Sequence, residues 1–137
     1  MANSQAIGVA YLDQNIVGAD VVYADDEIGY TAAARGVITQ GVSKAEPVTL
    51  NRSAGTVTMN GALLAGTTSV TFTLNNSKIS ANDAVILSIV GGTATAGSYT
   101  LWVTGLTAGA ATITLRNITS GNLSEAVVFN FVIMHAL

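Results

Sequence analysis

Three observations predict an all-β fold, an antiparallel β-sandwich of about seven strands with an extended N-terminal arm. From Val48 onward, apolar and hydroxyl side chains alternate with a period of two. Gly, Asn and Ser clusters interrupt that pattern roughly every ten residues, the spacing of short strands joined by turns. Before Pro47 the apolar runs are short and split by glycines, with no strong helical period.

Residues 1–47 hold six acids against two bases, and residues 48–137 hold three bases against two acids. That asymmetry places a boundary near Pro47 and divides the chain into an arm, 1–47, and a sandwich, 48–137. The arm carries the runs IGVAYL and NIVGADVVYA and three of the four tyrosines, Tyr11, Tyr23 and Tyr30. The run Ala32-Ala33-Ala34-Arg35 can make one helical turn before Gly36 stops it. One or two short strands are expected here. Two readings of the arm stand side by side. It packs on something outside its own domain, where tyrosines bury an apolar body and keep a wet tip, or it supplies edge strands to its own domain.

In the sandwich, strands are expected at Val48–Asn51, Gly55–Asn60, Ser69–Asn75, Ala84–Val90, Ser98–Leu106, Ala110–Ile118 and Ala126–His135. Val70, Phe72 and Leu74 alternate with Thr71 and Thr73, giving one apolar and one polar face. Tyr99, Leu101 and Val103 share a phase that leaves Trp102 on the opposite face. There Trp102 anchors an interface or fills a second buried face. The last two strands are expected to pair as a hairpin around Ser120-Gly121-Asn122, residues that favour turns. Burial fixes the expected register. Leu115 opposite Val127 and Ile113 opposite Phe129 keep one apolar face, whereas pairing Arg116 with Glu125 inverts it. An exposed ion pair is worth at most about 1 kcal/mol, against roughly 1.5–3 kcal/mol for one large buried apolar side chain. Arg116 and Glu125 are therefore expected on opposite faces.

Composition narrows the function classes. The 137 residues include no Cys, so thiolate chemistry and disulfides are absent. Charged residues make up 9 % of the chain, against about 25 % in ordinary domains. A folded surface this poor in charge suits burial in an assembly. The single His, His135, is the only residue on which a Ser-His-Asp arrangement could rest, and a packed terminal His is the simpler reading. Asp25-Asp26-Glu27 lacks the alternating spacing of a calcium loop. Five scattered bases and a net charge of −3 disfavour nucleic acid. No run approaches the roughly 18 apolar residues of a membrane span. Neither catalytic residues, cofactor nor metal site are expected.

The stretches TQGVSKAEPVTLNRSAGTVTMNGALLAGTTSVTFTLNNSKISANDAVILS and ITLRNITSGNLSEAVVFNFVI cover much of Thr39 to Ile133. In them, S-K-x-x-x-V-T-L-N and R-N-I-x-x-G-x-L-S-E-A are the more specific phrases. Through these the chain resembles small tailed-phage structural proteins of the capsid decoration, or cement, kind. The resemblance implies a trimeric all-β knob on the outer surface of the capsid in the virion, bound across joints between major capsid proteins. It implies an arm that engages the shell or a neighbouring subunit, and no cofactor, nucleic acid or membrane partner. The long acidic arm departs from the best-known members. Tyr11, Tyr23, Tyr30, Arg35 and Trp102 are the candidate capsid or subunit contacts. The alternative is a receptor- or glycan-binding module of a tail fibre or spike, with Trp102, Tyr99 and the threonine faces as sugar contacts.

Overall fold

The computed structural model describes Gly18 and residues 20–136. These form a β-sandwich of two four-stranded sheets. The strands are β1 (Arg35–Thr39), β2 (Val48–Thr49), β3 (Ala54–Thr58), β4 (Ser69–Asn75), β5 (Ala84–Gly91), β6 (Tyr99–Thr107), β7 (Ala110–Asn117) and β8 (Val128–Met134). Sheet A has the order β1-β3-β8-β5 and sheet B the order β2-β4-β7-β6. Four ladders are antiparallel, and the two edge pairs β1–β3 and β2–β4 are parallel.

The alternation read from the sequence sets the inward faces. Phe72 and Leu74 of β4, with Ile113 and Leu115 of β7, point into the core from sheet B. Val57 of β3 and Phe129, Phe131 and Ile133 of β8 meet them from sheet A. The Phe72 and Phe129 rings lie 6.1 Å apart at 50°, a tilted contact across the two sheets. In β6 a bulge between Val103 and Gly105 shifts the phase. Leu106, rather than Gly105, then packs against the core.

One of the two readings of the N-terminal segment is found, and one expectation changes. The strand β1 lies before residue 47, pairs in register with β3 and edges sheet A. The 40–47 loop after it is stitched to the sandwich. Gln40 is buried, donates from Nε2 to the Lys44 and Glu46 carbonyls at 3.1 and 2.8 Å, and accepts from Asn60 N at 3.0 Å. Part of the acidic segment thus supplies an edge strand to its own domain.

The C-terminal hairpin does not form. The strands β7 and β8 belong to different sheets, and residues 118–127 cross between them. Ile113, Leu115, Val127 and Phe129 share one core, but the residues of β7 and β8 face one another across it instead of pairing side by side. The physical reason lies at Asn117, fully buried at the end of β7. Its Nδ2 donates to the carbonyls of Leu64 (3.1 Å) and Gly121 (2.8 Å), and its Oδ1 accepts from Thr119 N and Oγ1 (3.0 and 2.7 Å). These bonds turn the chain away from its own sheet. Leu123 then bridges Leu64, and Met59 N donates to Val127 O at 2.8 Å. Arg116 is exposed on sheet B and Glu125 lies in the crossing strap.

Candidate interaction surfaces

The two outer faces of the sandwich differ in chemistry. Sheet B carries hydroxyls outward. Thr71 Oγ1 and Thr114 Oγ1 lie 2.8 Å apart, and Thr114 Oγ1 and Thr104 Oγ1 lie 3.1 Å apart, giving a hydrogen-bonded ladder across three strands. Trp102 pairs opposite Thr114 and is 38 % exposed, on the face its phase predicts. Arg116 stands between Ser69 and Thr100 on the same face.

Sheet A carries aliphatic groups outward. Val37, Ile86, Val90 and Met134 each keep more than half of their surface exposed. Half-buried Val128 and Val132 lie between them on β8. A polar strip crosses this face. Arg35 Nη2 donates to Thr56 Oγ1 at 2.9 Å, and Thr56 Oγ1 bonds Asn130 Oδ1 at 2.7 Å. Arg35 is the only charged residue in the four strands of sheet A.

The arm reaches sheet A. Tyr30 donates its hydroxyl to the Ile133 carbonyl at 2.5 Å, and Ile28, Gly29 and Tyr30 border a depression with Arg35, Ala54 and Val132. Tyr23 is 89 % exposed. Tyr30, Arg35 and the arm are thus gathered at sheet A, while Trp102 lies on sheet B, on the opposite side of the sandwich. Tyr11 lies outside the described residues. The aliphatic outer face was not singled out by sequence. Its signal is in VFNFVIM and AVILSIVG, where the outward phase is nearly as apolar as the inward one.

Two polar clusters lie elsewhere. At the end of β8, Asp83 Oδ2 accepts from Ser80 N (2.7 Å) and contacts His135 Nδ1 (3.0 Å), and Asp83 Oδ1 accepts from Ser80 Oγ (2.7 Å). The Ser80 amide and hydroxyl, then His135 and the Ala136 amide, hold the Asp83 carboxyl down to about 2 against the opposing effect of desolvation. The serine hydroxyl is spent on the carboxylate and not on the imidazole. The order of groups is therefore wrong for an activated nucleophile, and the cluster ties the C-terminal residues to the turn before β5. A folded value below the ordinary one stabilises above the unfolded carboxylate pKa of about 3.9. That contribution is lost as pH falls through about 2. Asp83→Asn should flatten the fall of stability with acid across this window, in urea unfolding at a series of pH values. An unchanged slope would sink the assignment.

At the other end, Lys44 is buried and donates Nζ to the carbonyls of Asn60 and Glu125, the latter at 2.5 Å. Burial lowers its pKa and the nearby Glu125 carboxylate pulls it back up. Glu125 Oε1 accepts from Ala94 N. Among the described residues neither Glu125 Oε2 nor the Tyr99 hydroxyl has a hydrogen-bond partner in good geometry, and burial, followed by the Glu125 carboxylate, pushes Tyr99 up to about 12. Lys44 bonds to backbone oxygens, so it clamps the strap at residue 125. Among the described residues no three acids or histidines converge in a metal-binding group, and no helix is long and apolar enough to cross a membrane.

Comparison with protein-family models, curated proteins and solved structures found no match for this chain.

Proposed function

We propose that the chain is a structural protein of a phage virion, a self-associating sandwich that decorates the outer capsid surface across joints between major capsid proteins. The observation that carries this reading is the outer face of sheet A. Four aliphatic side chains and one charge, beside an arm pinned at Tyr30, make a surface suited to burial in an assembly. A small rigid knob bound across a joint adds contact area between capsomers. The joint then resists outward pressure from packaged DNA without any chemistry. No cofactor enters, and the clusters at Asp83 and Lys44 serve as tethers within the fold. Self-association as a homotrimer belongs to the same reading.

The second reading, a glycan- or receptor-binding module of a tail fibre or spike, has one observation in its favour. Trp102 stands exposed beside the threonine ladder of sheet B, where an aromatic plate and hydroxyls can meet a sugar ring. Copy number separates the two. Quantitative mass spectrometry of purified particles of the phage that encodes the chain should find it in numbers comparable to the major capsid protein. A handful of copies per particle would move it to a fibre or spike, and its absence from particles would reject both.

A further inference from the structure

Among the described residues, two apolar surfaces stay largely uncovered, meeting only where residues 28–30 border sheet A. One is the outer face of sheet A, with Val37, Ile86, Val90 and Met134 exposed. The other is the arm, where Val21, Val22, Tyr23 and Ile28 are each more than half exposed. An arm folded back onto its own sheet would bury both sets. We propose that the outer face of sheet A is the seat for the arm, residues 20–28, of a second copy of this chain.

Reach, charge and edge chemistry support that occupant. The arm leaves the sandwich at Tyr30, whose hydroxyl is fixed to Ile133 O at the border of this face. Nine extended residues span roughly 30 Å, while four strands about 4.8 Å apart make a face roughly 15 Å across. The arm is therefore long enough to pass beyond its own sheet. It carries Asp20, Asp25, Asp26 and Glu27, and the receiving face carries one charge, Arg35. Arg35 bonds Thr56 and Asn130 and has no carboxylate partner among the described residues. The acidic arm supplies one.

The edge of the same face is also open. Among the described residues, no backbone hydrogen bond outside the ladder with β8 involves residues 84–91. A run reading AVILSIVG carries no charge and no proline, and the bulge between Ile89 and Gly91 interrupts it only near its end. The outer face of sheet B is rich in threonine hydroxyls bonded to one another and offers no comparable aliphatic seat. Arm to face is a heterologous contact, with different surfaces used on the two copies, so copies joined this way close into a ring or continue as a filament. A three-membered ring is the closed form that agrees with the trimer proposed above. The inference rests on self-association in that reading but not on its place in a virion.

Light scattering coupled to size exclusion gives the first arm of the test. The full chain should run as a multiple of 13.9 kDa. The face variant Ile86→Glu/Met134→Glu and the arm variant Val21→Asp/Tyr23→Asp should each run at the monomer mass, with unchanged circular dichroism because all four positions are exposed. The second arm asks whose arm sits on the face. The chain has no cysteine, so Ala24→Cys takes a single nitroxide label. Mixed with isotopically labelled chain that lacks the nitroxide, it should broaden the amide signals of β5 and β8 in the isotopically labelled copies. A monomeric full chain would overturn the proposal, as would an assembly mass unchanged in both double variants. No broadening in that mixture, with broadening of β5 and β8 when the nitroxide-bearing chain is itself isotopically labelled and diluted into unlabelled chain, would replace it with an arm closing on its own sheet. None of these outcomes bears on copy number in particles, so the virion reading stands or falls separately.

Discussion

Phe129→Ala should destabilise the sandwich by about 3–5 kcal/mol, the usual cost of truncating a fully buried phenylalanine. The side chain is inaccessible to solvent and sits in β8, between Val57 of β3 and Ile89 of β5. Its ring meets Phe72 of the facing sheet at 6.1 Å. Removing it leaves a cavity lined from both sheets. Neither sheet can collapse into that space without shifting its own ladder, so little of the cost is recovered by relaxation. Urea unfolding should show a lower midpoint with the slope unchanged. A loss under about 1 kcal/mol would mean that Phe129 does not bridge the sheets.

Gly92→Ala should cost more than about 2 kcal/mol, for two separable reasons. Gly92 has a φ of +72°, a conformation that costs an L-residue roughly 1–2 kcal/mol. A methyl group there would also drive into the carbonyl oxygen of Ala126, in the strap that crosses between the sheets. The strap cannot retreat freely. Lys44 holds it at Glu125 O, and Met59 holds it at Val127 O. Gly97 supplies the control, since its φ of +78° is similar but nothing lies within 4 Å of its added methyl. Gly97→Ala should therefore pay only the backbone term. Equal losses in the two variants, measured by urea unfolding, would show that the strap is not closely packed on Gly92.

Alternation encodes which face of a strand a side chain takes. Val70, Phe72 and Leu74 against Thr71 and Thr73 name an inward and an outward face, and the structure keeps that division. Tyr99, Leu101 and Val103 put Trp102 outward, where it is found. Alternation does not say which sheet a strand joins. Ile113 with Leu115, and Phe129 with Phe131, bury the same side chains whether β7 and β8 pair laterally or face one another across the core. The choice between those arrangements is made by Asn117, whose side-chain bonds reach residues more than fifty positions away as well as its near neighbours. A single asparagine in a chain full of asparagine gives no sequence signal of that role.

A short edge strand in the N-terminal segment was expected, but its position and its partner were not legible, for a different reason. RGVIT is short and lies in a glycine-rich acidic segment, and it is held by a parallel partner from outside that segment. The candidate contacts were legible as residue types and not as a place. Aromatics and one arginine stand out from a sparsely charged chain, yet Trp102 and Arg35 lie on opposite sides of the sandwich. The aliphatic outer face of sheet A was hidden because the outward phases of β8 and β5 are apolar except at Asn130 and Ser88, and a nearly continuous apolar strand reads as doubly buried.

The position of β8 has a consequence for how the protein is made. It lies between β3 and β5, and both strands are synthesised before it. Until Val128–Met134 emerges, β3 and β5 have no strand between them, and AVILSIVG is open along both edges. Sheet B has no such wait, because all its strands precede residue 118. The nascent chain therefore passes through a stage in which one sheet can pair fully and the other only through β1 and β3, with its most aggregation-prone strand unpaired. Non-local closure of this kind is slow compared with local pairing. Expression at low temperature, or with chaperones that shield exposed strands, should raise the yield of soluble protein for this reason.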